Sequence, residues 1–344
     1  MKPAAFEYHA PARAEEITEL LGELGDGAKV IAGGQSLVPM MALRLAVFDH
    51  LIDIRNVSGL RGIEGRNGNW HSGAAEHSAP EHSAAEDSAP EDSAPEDSAE
   101  RGWSVWIGAG TSQAAVEGSD LVAQAVPLLA RATPLIGHFQ IRNRGTIGGS
   151  LAHAEAAAEY PAVALALGAT VEALSPRGQR SIPVAEFFTG IWSTALEADE
   201  LLTGVTFPVW GGTGGGGCGF AVEEFARRPG DFALAGAAVA VELSGLDGSG
   251  GSRIRRCGIG LIGLGPTPLR ASAAEASVTG TAAGDAGSAA RAKEIGATAM
   301  AELDSVPSDL HGPAKYRKRV GAAMVATAWQ RAVKEAVTKE AASA

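Results

Sequence analysis

The sequence predicts an α+β protein that contains more than one domain. Its 344 residues are more than a single hydrophobic core usually organises. The chain is 45% hydrophobic and only 20% charged, which is the composition of a folded protein. Stretches with helical and with strand-like apolar periods alternate along it, and its 45 glycines indicate loops that are built from backbone.

The beginning of the chain predicts a small α/β subdomain. Residues 11–24 repeat apolar side chains at i, i+3, i+4 and i+7, which is typical of an amphipathic helix. Residues 29–31 and 51–54 are short apolar runs that predict strands. A glycine loop, residues 33–36 (GGQS), follows the first of these strands.

An acidic repeat interrupts the next part of the chain. A five-residue unit occurs five times over residues 76–100, from EHSAP to EDSAE. The unit has no large apolar residue, so burial cannot offset the entropy of ordering it, and we expect a disordered insert over 69–101. The runs 60–63 and 103–108 on its two sides predict the strands of one hairpin.

The net charge of −12 comes mainly from this repeat, which holds nine acidic residues and no Lys or Arg. The rest of the chain has no basic footprint, so we expect no nucleic-acid partner. The N-terminus lacks the apolar core of a signal peptide, and no uncharged apolar stretch is long enough to span a membrane. We therefore expect a cytoplasmic protein without a membrane span.

The remaining elements follow from apolar periodicity. The predicted helices are 119–131, 154–168 and 314–337, and the predicted strands are 170–174, 200–207, 220–227 and 254–264. The Gly-rich stretch 211–219 indicates a domain boundary. Beyond it we expect a smaller α+β domain whose sheet ends by Gly265.

The two cysteines, Cys218 and Cys257, are too far apart for a metal-ligand motif, and we expect buried free thiols. An iron–sulfur cluster of the common types needs four thiolates. This chain therefore cannot hold such a cluster by itself.

One glycine motif is excluded as a dinucleotide site. Residues 258–263 match G-x-G-x-x-G after a predicted strand, but Pro266 and Pro268 follow at once. These prolines prevent the helix that the Rossmann fingerprint requires.

Two other glycine loops suit an anion better. Residues 32–37 (AGGQSL) and 145–150 (GTIGGS) each combine paired glycines with a hydroxyl side chain. Glycines let backbone N–H groups approach an anion closely. Two such loops could hold a pyrophosphate from both sides, although for each loop alone a tight turn between packed elements is the favoured interpretation.

The segments around these loops are more specific. IAGGQSLVPMMALRLA (31–46) with HLIDI (50–54), and IGHFQIRNRGTIGGSLAHAEAAAEYPA (136–162), closely resemble the two flavin-binding segments of the FAD subunit of molybdenum-containing hydroxylases. These hydroxylases are of the carbon monoxide dehydrogenase and xanthine dehydrogenase type. The resemblance continues through residues 186–208, 223–241, 262–276 and 316–317.

The resemblance implies a fold of three parts. An FAD-binding domain of the vanillyl-alcohol oxidase (PCMH) type would occupy 1–210, in two α/β subdomains of about 1–56 and 57–210. A Gly-rich linker would follow at 211–219. A C-terminal α+β domain, 220–338, would help to cover the flavin.

The resemblance also implies which residues bind the cofactor. The residues expected to hold the FAD pyrophosphate are Ala32, Gly33, Gly34, Gln35, Ser36 and Leu37 in the first loop and Thr146, Ile147, Gly148, Gly149 and Ser150 in the second. Thr111, in GAGTS, is a further FAD-binding residue. Glu155 and Glu159 are alternatives for binding the ribityl or ribose hydroxyls, and Ile136 and Leu202 are expected to line the isoalloxazine. No catalytic residue and no metal ligand is expected in this chain.

The function implied by the resemblance is electron transfer. A large molybdopterin-binding subunit would oxidise the substrate, a small subunit with two [2Fe–2S] clusters would pass electrons on, and non-covalent FAD in this chain would deliver them to an external acceptor. The expected assembly is a dimer of heterotrimers. Two alternatives remain open: a stand-alone flavin oxidase, with FAD attached through a histidine such as His153, and a scaffold subunit that has lost FAD.

Overall fold

The computed structural model describes residues 2–66, 102–211, 216–246 and 251–343. The acidic repeat, and with it the expected insert over 69–101, lies outside the described residues. So do residues 212–215 of the Gly-rich stretch. The mixture of helices and strands confirms the α+β class.

The N-terminal unit is a three-stranded parallel sheet in the order β1-β3-β2. Its elements are β1 (Glu7–His9), α1 (Ala14–Leu24), β2 (Ala28–Ile31), α2 (Leu37–Ala42) and β3 (His50–Asp53). On one face, Ile17 and Leu21 of α1 are buried in a cluster with Ile52. On the other face, Met41 of α2 clusters with Leu51. The sheet is therefore covered on both sides, as a parallel sheet requires.

The middle unit is an antiparallel sheet in the order β4-β5-β10-β6-β7 with helices packed against it. Its elements are β4 (Ile63–Arg66), β5 (Ser104–Gly108), α3 (Gln113–Glu117), α4 (Asp120–Ala125), α5 (Pro127–Ala132), α6 (Phe139–Arg142), α7 (Ile147–His153), α8 (Glu159–Leu167), β6 (Thr170–Ser175), β7 (Gly178–Pro183), α9 (Val184–Phe187), β8 (Phe188–Gly190), β9 (Ser193–Thr194) and β10 (Leu201–Pro208). β4 and β5 pair antiparallel, with Arg66 opposite Ser104. The hairpin expected around the acidic repeat is therefore present.

The C-terminal unit is a four-stranded antiparallel sheet in sequential order, backed by a long helix. Its elements are β11 (Cys218–Phe225), β12 (Ala235–Leu243), β13 (Ile254–Ile262), β14 (Leu269–Arg270), α10 (Ser272–Ala276), α11 (Ala283–Ala286), α12 (Ala289–Ala301) and α13 (Ala314–Ser343). Cys218 and Cys257 are both free and buried, as expected. None of the helices in the described part of the chain has the length and apolarity needed to cross a membrane.

The excluded dinucleotide motif has a packing role. All nine residues of α8 are buried, and this helix packs against β13. A Cβ added at Gly258 would lie 1.8 Å from the carbonyl oxygen of Ala166, and one at Gly260 would lie 1.9 Å from that of Ala162. The glycines of β13 thus let a helix approach the sheet closely, and the chain continues into β14 rather than into a helix.

Two of the predicted helical runs are divided or substantially shortened in the structure. The run 119–131 is divided into α4 and α5, because Pro127 cannot continue a helix but can begin one. The helix expected over 154–168 begins only at Glu159. Ala154 has φ +53°, a left-handed conformation that ends α7 and separates it from α8.

The strand predictions were incomplete. The strand expected at 60–63 starts at Ile63, β11 begins inside the expected linker at Cys218, and the last sheet extends beyond Gly265 to β14. Sequence periodicity also missed β1, β7 and β12. β7 lies almost wholly exposed and β12 is buried throughout, so neither shows the alternation of apolar and polar residues on which the predictions depend.

Candidate functional site

The first glycine loop, residues 32–37, leaves a row of main-chain amides open. Gly34 has φ +72° and turns the chain from β2 into α2. Within the described residues, no group accepts a hydrogen bond from the backbone N–H of residues 33–37. The Ser36 hydroxyl makes no capping bond either. Neighbouring N–H donors without partners favour an anion at this loop.

The second glycine loop lies directly against the first. A Cβ added at Gly33 would lie 2.2 Å from the carbonyl oxygen of Arg144 and 2.8 Å from the Cα of Gly145. A Cβ added at Gly149 would lie 3.5 Å from the Cβ of Ala32. Residues far apart in the sequence are thus brought together as one site.

The amides of the second loop are mostly used within the protein. Thr146 caps α7, because its Oγ1 accepts a hydrogen bond from the N–H of Gly149 at 3.0 Å. The N–H of Ile147 donates to the carbonyl of Thr111, and that of Gly148 donates to the carbonyl of Ala109. The second loop therefore contributes shape, and the first loop contributes the unpaired donors.

Thr111 holds the surroundings of the second loop. Its side chain is buried, and its Oγ1 accepts from the N–H of Gly62 at 3.0 Å and donates to the carbonyl of Gly62 at 3.1 Å. Its own carbonyl accepts from Ile147. The Thr111 hydroxyl is therefore engaged with backbone in this structure.

Glu155 belongs to a cluster at the end of α7. Its Oε2 accepts from the indole N–H of Trp192 at 2.8 Å, and its Oε1 accepts from the N–H of Ala157 at 3.1 Å. The His153 ring stacks on Trp192 with centroids 6.2 Å apart. Burial lowers the pKa of His153 below its usual value, which favours the neutral ring.

Trp192 is a residue of this cluster that the sequence analysis did not identify. Its backbone conformation is unusual. It lies between β8 and β9 with φ +51°, which is rare for a bulky side chain, and 56% of its surface is exposed. Ile191 beside it is 64% exposed. Backbone strain of this kind is concentrated at functional positions, but sequence periodicity contains no signal for it.

Glu159, the second candidate carboxylate, lies in a different environment. It is 4% exposed at the start of α8. Burial, together with the nearby charge of Glu224, raises the pKa of Glu159 to about 8. Burial raises the pKa of Glu224 to about 7. Glu159 is therefore protonated at neutral pH.

The two residues expected to line a ring belong to one apolar cluster. Leu202 is buried in β10, and the half-buried Ile136 packs against the same cluster. The C-terminal unit reaches the neighbouring residues, since a Cβ added at Gly230 would lie 2.6 Å from the His138 ring. The loop between β11 and β12 thus contacts the segment that precedes α6 at His138.

Comparisons with known proteins explain this arrangement. Residues 4–91 and 96–210 match the FAD binding domain in molybdopterin dehydrogenase, and residues 220–332 match the CO dehydrogenase flavoprotein C-terminal domain. The chain belongs to the FAD-binding medium chains of molybdenum hydroxylases. It is therefore the flavin-carrying, electron-transferring subunit of an oxidoreductase, as the resemblance implied.

Individual relatives cover almost the whole medium chain. It is 34% identical over 325 residues to the carbon monoxide dehydrogenase medium chain of Hydrogenophaga pseudoflava, and the aligned region covers 94% of this chain and 96% of that protein. It is 38% identical over 317 residues to the nicotine 6-hydroxylase medium subunit of Paenarthrobacter nicotinovorans, covering 92% and 93%. The solved carbon monoxide dehydrogenase from Hydrogenophaga pseudoflava that lacks the Mo-pyranopterin moiety superposes with a TM-score of 0.79, at 35% identity and 98% and 99% coverage.

Proposed function

We propose that this medium chain holds one FAD non-covalently at its two glycine loops and relays electrons inside a complex of three kinds of subunit. The observation that carries this proposal is the row of unpaired amides at residues 33–37, held against the second loop by Gly33. Backbone donors of this kind match the oxygens of a pyrophosphate. When bound, FAD supplies redox chemistry that couples one-electron carriers to other acceptors.

The residues of the first loop fit such a group best. The amides of residues 33–37 bind the pyrophosphate in this proposal, and Ala32 and Gly33 hold the loop against its neighbour. In the second loop, Thr146 to Ser150 shape the opposite wall. Ile136 and Leu202 supply apolar surface for the flavin ring.

Of the two carboxylates, we assign the hydroxyl-binding role to Glu155. It is half-buried, and each of its oxygens keeps a further lone pair after its bond to Trp192 or Ala157. Glu159 is almost fully buried and protonated at neutral pH. A charged acceptor bonds hydroxyl groups more strongly than a protonated carboxyl does.

The partners follow from the family and from the chemistry that this chain lacks. We propose a large molybdopterin-binding subunit and a small subunit with [2Fe–2S] clusters, assembled as a dimer of heterotrimers. Two cysteines cannot ligate a four-thiolate cluster, so in this proposal the clusters belong to a partner, which passes electrons to this chain. Both cysteines are reduced and buried, which suits a reducing compartment, and we place the complex in the cytoplasm.

We place the domain boundary in the Gly-rich stretch before β11, between an FAD-binding domain of residues 1–210 and a C-terminal domain of 220–338. The relatives act with carbon monoxide and with nicotine according to their names. We propose that the large subunit selects the substrate, and that the substrate is carbon monoxide, an aldehyde, or a purine or other heterocycle.

The experiment compares the chain with and without its partners. The flavoprotein is mixed anaerobically with candidate substrates, and the flavin absorbance is followed before and after the other two subunits are added. We expect bleaching only with the partners present, and acid precipitation should release all of the flavin. Bleaching by the chain alone would favour the stand-alone oxidase, and flavin that stays with the precipitate would favour covalent attachment. A chain that takes up no FAD would favour the scaffold.

A further inference from the structure

Three potential metal ligands meet on the sheet of the N-terminal unit, away from the glycine loops. β1 and β3 are parallel neighbours, with Glu7 opposite His50 and His9 opposite Ile52. Residues that are opposite each other, and residues two apart on one strand, share a face of the sheet. The side chains of Glu7, His9 and His50 must therefore project to the same side.

The distances between their ligand atoms match a metal site. His9 Nε2 lies 3.2 Å from His50 Nδ1, and Glu7 Oε2 lies 3.5 Å from the same nitrogen. All three ligand atoms lie within 4.8 Å of one another. Metal–ligand bonds of about 2.0–2.1 Å in a tetrahedron separate neighbouring ligands by about 3.3–3.4 Å. Both short distances are close to such a tetrahedral edge.

Hydrogen bonds alone satisfy this cluster poorly. His50 Nδ1 faces an imidazole nitrogen and a carboxylate oxygen at once, yet a ring nitrogen carries either one proton or one lone pair. It can therefore bond to only one of its two neighbours. A cation between the three atoms would be bound by a lone pair from each of them.

The surroundings of the cluster favour a cation. Across the sheet, the residue opposite His50 on β2 is Ala28, which places a methyl group rather than a charged side chain on this face. A cleft of about 380 Å³ opens beside His9, and the residues that line it include Glu16, Glu19 and Glu23. Glu16 is paired with Arg13, and the remaining negative charge near His9 favours a cation. Water can complete the coordination of a metal ion that three protein ligands hold.

We infer that Glu7, His9 and His50 form a binding site for a divalent transition-metal ion, for which Zn²⁺ is the best match. Two imidazoles and one carboxylate are a common ligand set of zinc, with water in the remaining position. The ion would tie the three-residue strand β1 to β3. It would thereby stabilise the unit from which the first glycine loop extends.

The test uses the full-length flavoprotein after treatment with a chelator. Zn²⁺ is titrated by calorimetry, and Co²⁺ serves as a spectroscopic probe of tetrahedral coordination. We expect one Zn²⁺ per chain at the tightest site and, with excess Zn²⁺, a rise in Tm of roughly a few degrees. The double substitution His9→Gln and His50→Gln should remove both effects, and Glu7→Gln should weaken Zn²⁺ binding by about tenfold or more.

Two control variants locate the ion. His311→Gln removes an exposed imidazole elsewhere, and His77→Gln with His82→Gln removes two from the acidic repeat. Both should keep the tight site. Zn²⁺ binding that survives in the His9 and His50 double variant, or that is lost in the repeat variant, would overturn the inference. Flavin content and Tm without metal show that each variant is folded, and Glu7, being exposed, can be replaced without loss of packing.

Discussion

Gly33 and Gly34 are neighbours in the first loop, yet each must be glycine for a different reason. Gly33 faces the backbone of Arg144 at a distance that no side chain could occupy. Gly34 has φ +72°, and an added Cβ would lie 3.1 Å from Val38 and 3.3 Å from Ile31. The first glycine joins the two loops, and the second gives the loop its shape.

Gly34→Val should abolish FAD retention while the protein remains folded. A β-branched side chain disfavours the left-handed conformation, and it would crowd the side chains that begin and end the loop. Flavin absorbance per chain after gel filtration measures the effect. Gly22→Ala is the matched control, because Gly22 lies in α1 with open space around it and should keep full occupancy. A Gly34→Val protein with full flavin content would show that the loop is only a turn.

Gly149→Val should also reduce FAD retention, for a related reason. The new side chain would contact Thr146 Oγ1, which caps α7, and would approach Ala32 in the first loop. Thr146 and Ala32 both help to hold the two loops in their relative positions. The same flavin assay applies, and a variant that releases no flavin would indicate that the second loop does not border the cofactor.

The ionisation of Glu159 makes the free energy of unfolding depend on pH. Its pKa is about 8 in the folded protein against an ordinary value of 4.5, because burial and Glu224 disfavour its charge. A raised pKa in the folded state contributes stability that is complete below pH 4.5 and is lost as the pH rises towards 8. Glu159→Gln should remove this loss. The variant should match the wild type at pH 5 and be more stable by roughly 4 kcal/mol at pH 8.5.

Urea unfolding at the two pH values measures this difference. Glu186→Gln, at an exposed position, should show no comparable change. Equal stabilities of wild type and Glu159→Gln at pH 8.5 would contradict the prediction. If the substitution instead releases FAD, Glu159 rather than Glu155 binds the cofactor.

Among the elements, the β4–β5 hairpin is informative because its two strands pair on either side of the acidic repeat. Arg66 lies opposite Ser104, and the register continues to Ile63 opposite Ile107. The two strand ends are therefore close enough for a short connection. We therefore expect the pairing to need no contribution from residues 69–101.

Deletion of residues 69–101 should therefore preserve both fold and flavin content. The remaining Asn67, Gly68, Gly102 and Trp103 form a four-residue connection between Arg66 and Ser104, which is a common hairpin length. Circular dichroism, Tm and flavin absorbance measure the outcome. An insoluble or flavin-free product would mean that the deleted segment packs against the rest of the protein.

At the scale of the whole molecule, an ion pair among the described residues connects the middle and C-terminal units. Arg131 of α5 contacts both oxygens of Glu335 in α13, at 2.5 and 2.8 Å, and also donates to the carbonyl of Phe220 in β11. Burial favours the neutral form of Glu335, but its bonds to Arg131, Lys339 and the Phe220 N–H outweigh that effect. They hold the pKa of Glu335 at about 2.

Glu335→Gln should weaken this connection. A lowered pKa in the folded state contributes stability that is present above pH 4.5 and is lost as the pH falls towards 2. We expect the variant to be less stable by roughly 2 kcal/mol at pH 7, with a difference that shrinks as the pH falls to 3. Urea unfolding at both pH values tests this. Glu294→Gln, which removes an exposed pair with Arg291, should change stability little at either pH.

The sequence by itself determined the family, the α+β class and both glycine loops. Glycine spacing and flanking residues are local properties, so the segments around Gly34 and Gly149 could be read directly. The amphipathic helix α1 and the two strands of the β4–β5 hairpin were predicted for the same reason. Local periodicity was informative wherever one face of an element is buried and the other exposed.

Only the tertiary structure decided what those residues contact. From the sequence alone, the two glycine loops were equivalent candidates for binding an anion. In the fold, the backbone amides of residues 33–37 are unpaired, whereas most amides of the second loop donate hydrogen bonds within the protein. The fold also places Glu155 and Glu159 in different environments. It brings Glu7, His9 and His50 together through the pairing of β1 with β3. Strand pairing, burial and hydrogen-bond partners arise between residues distant in the chain, so no local pattern could reveal them.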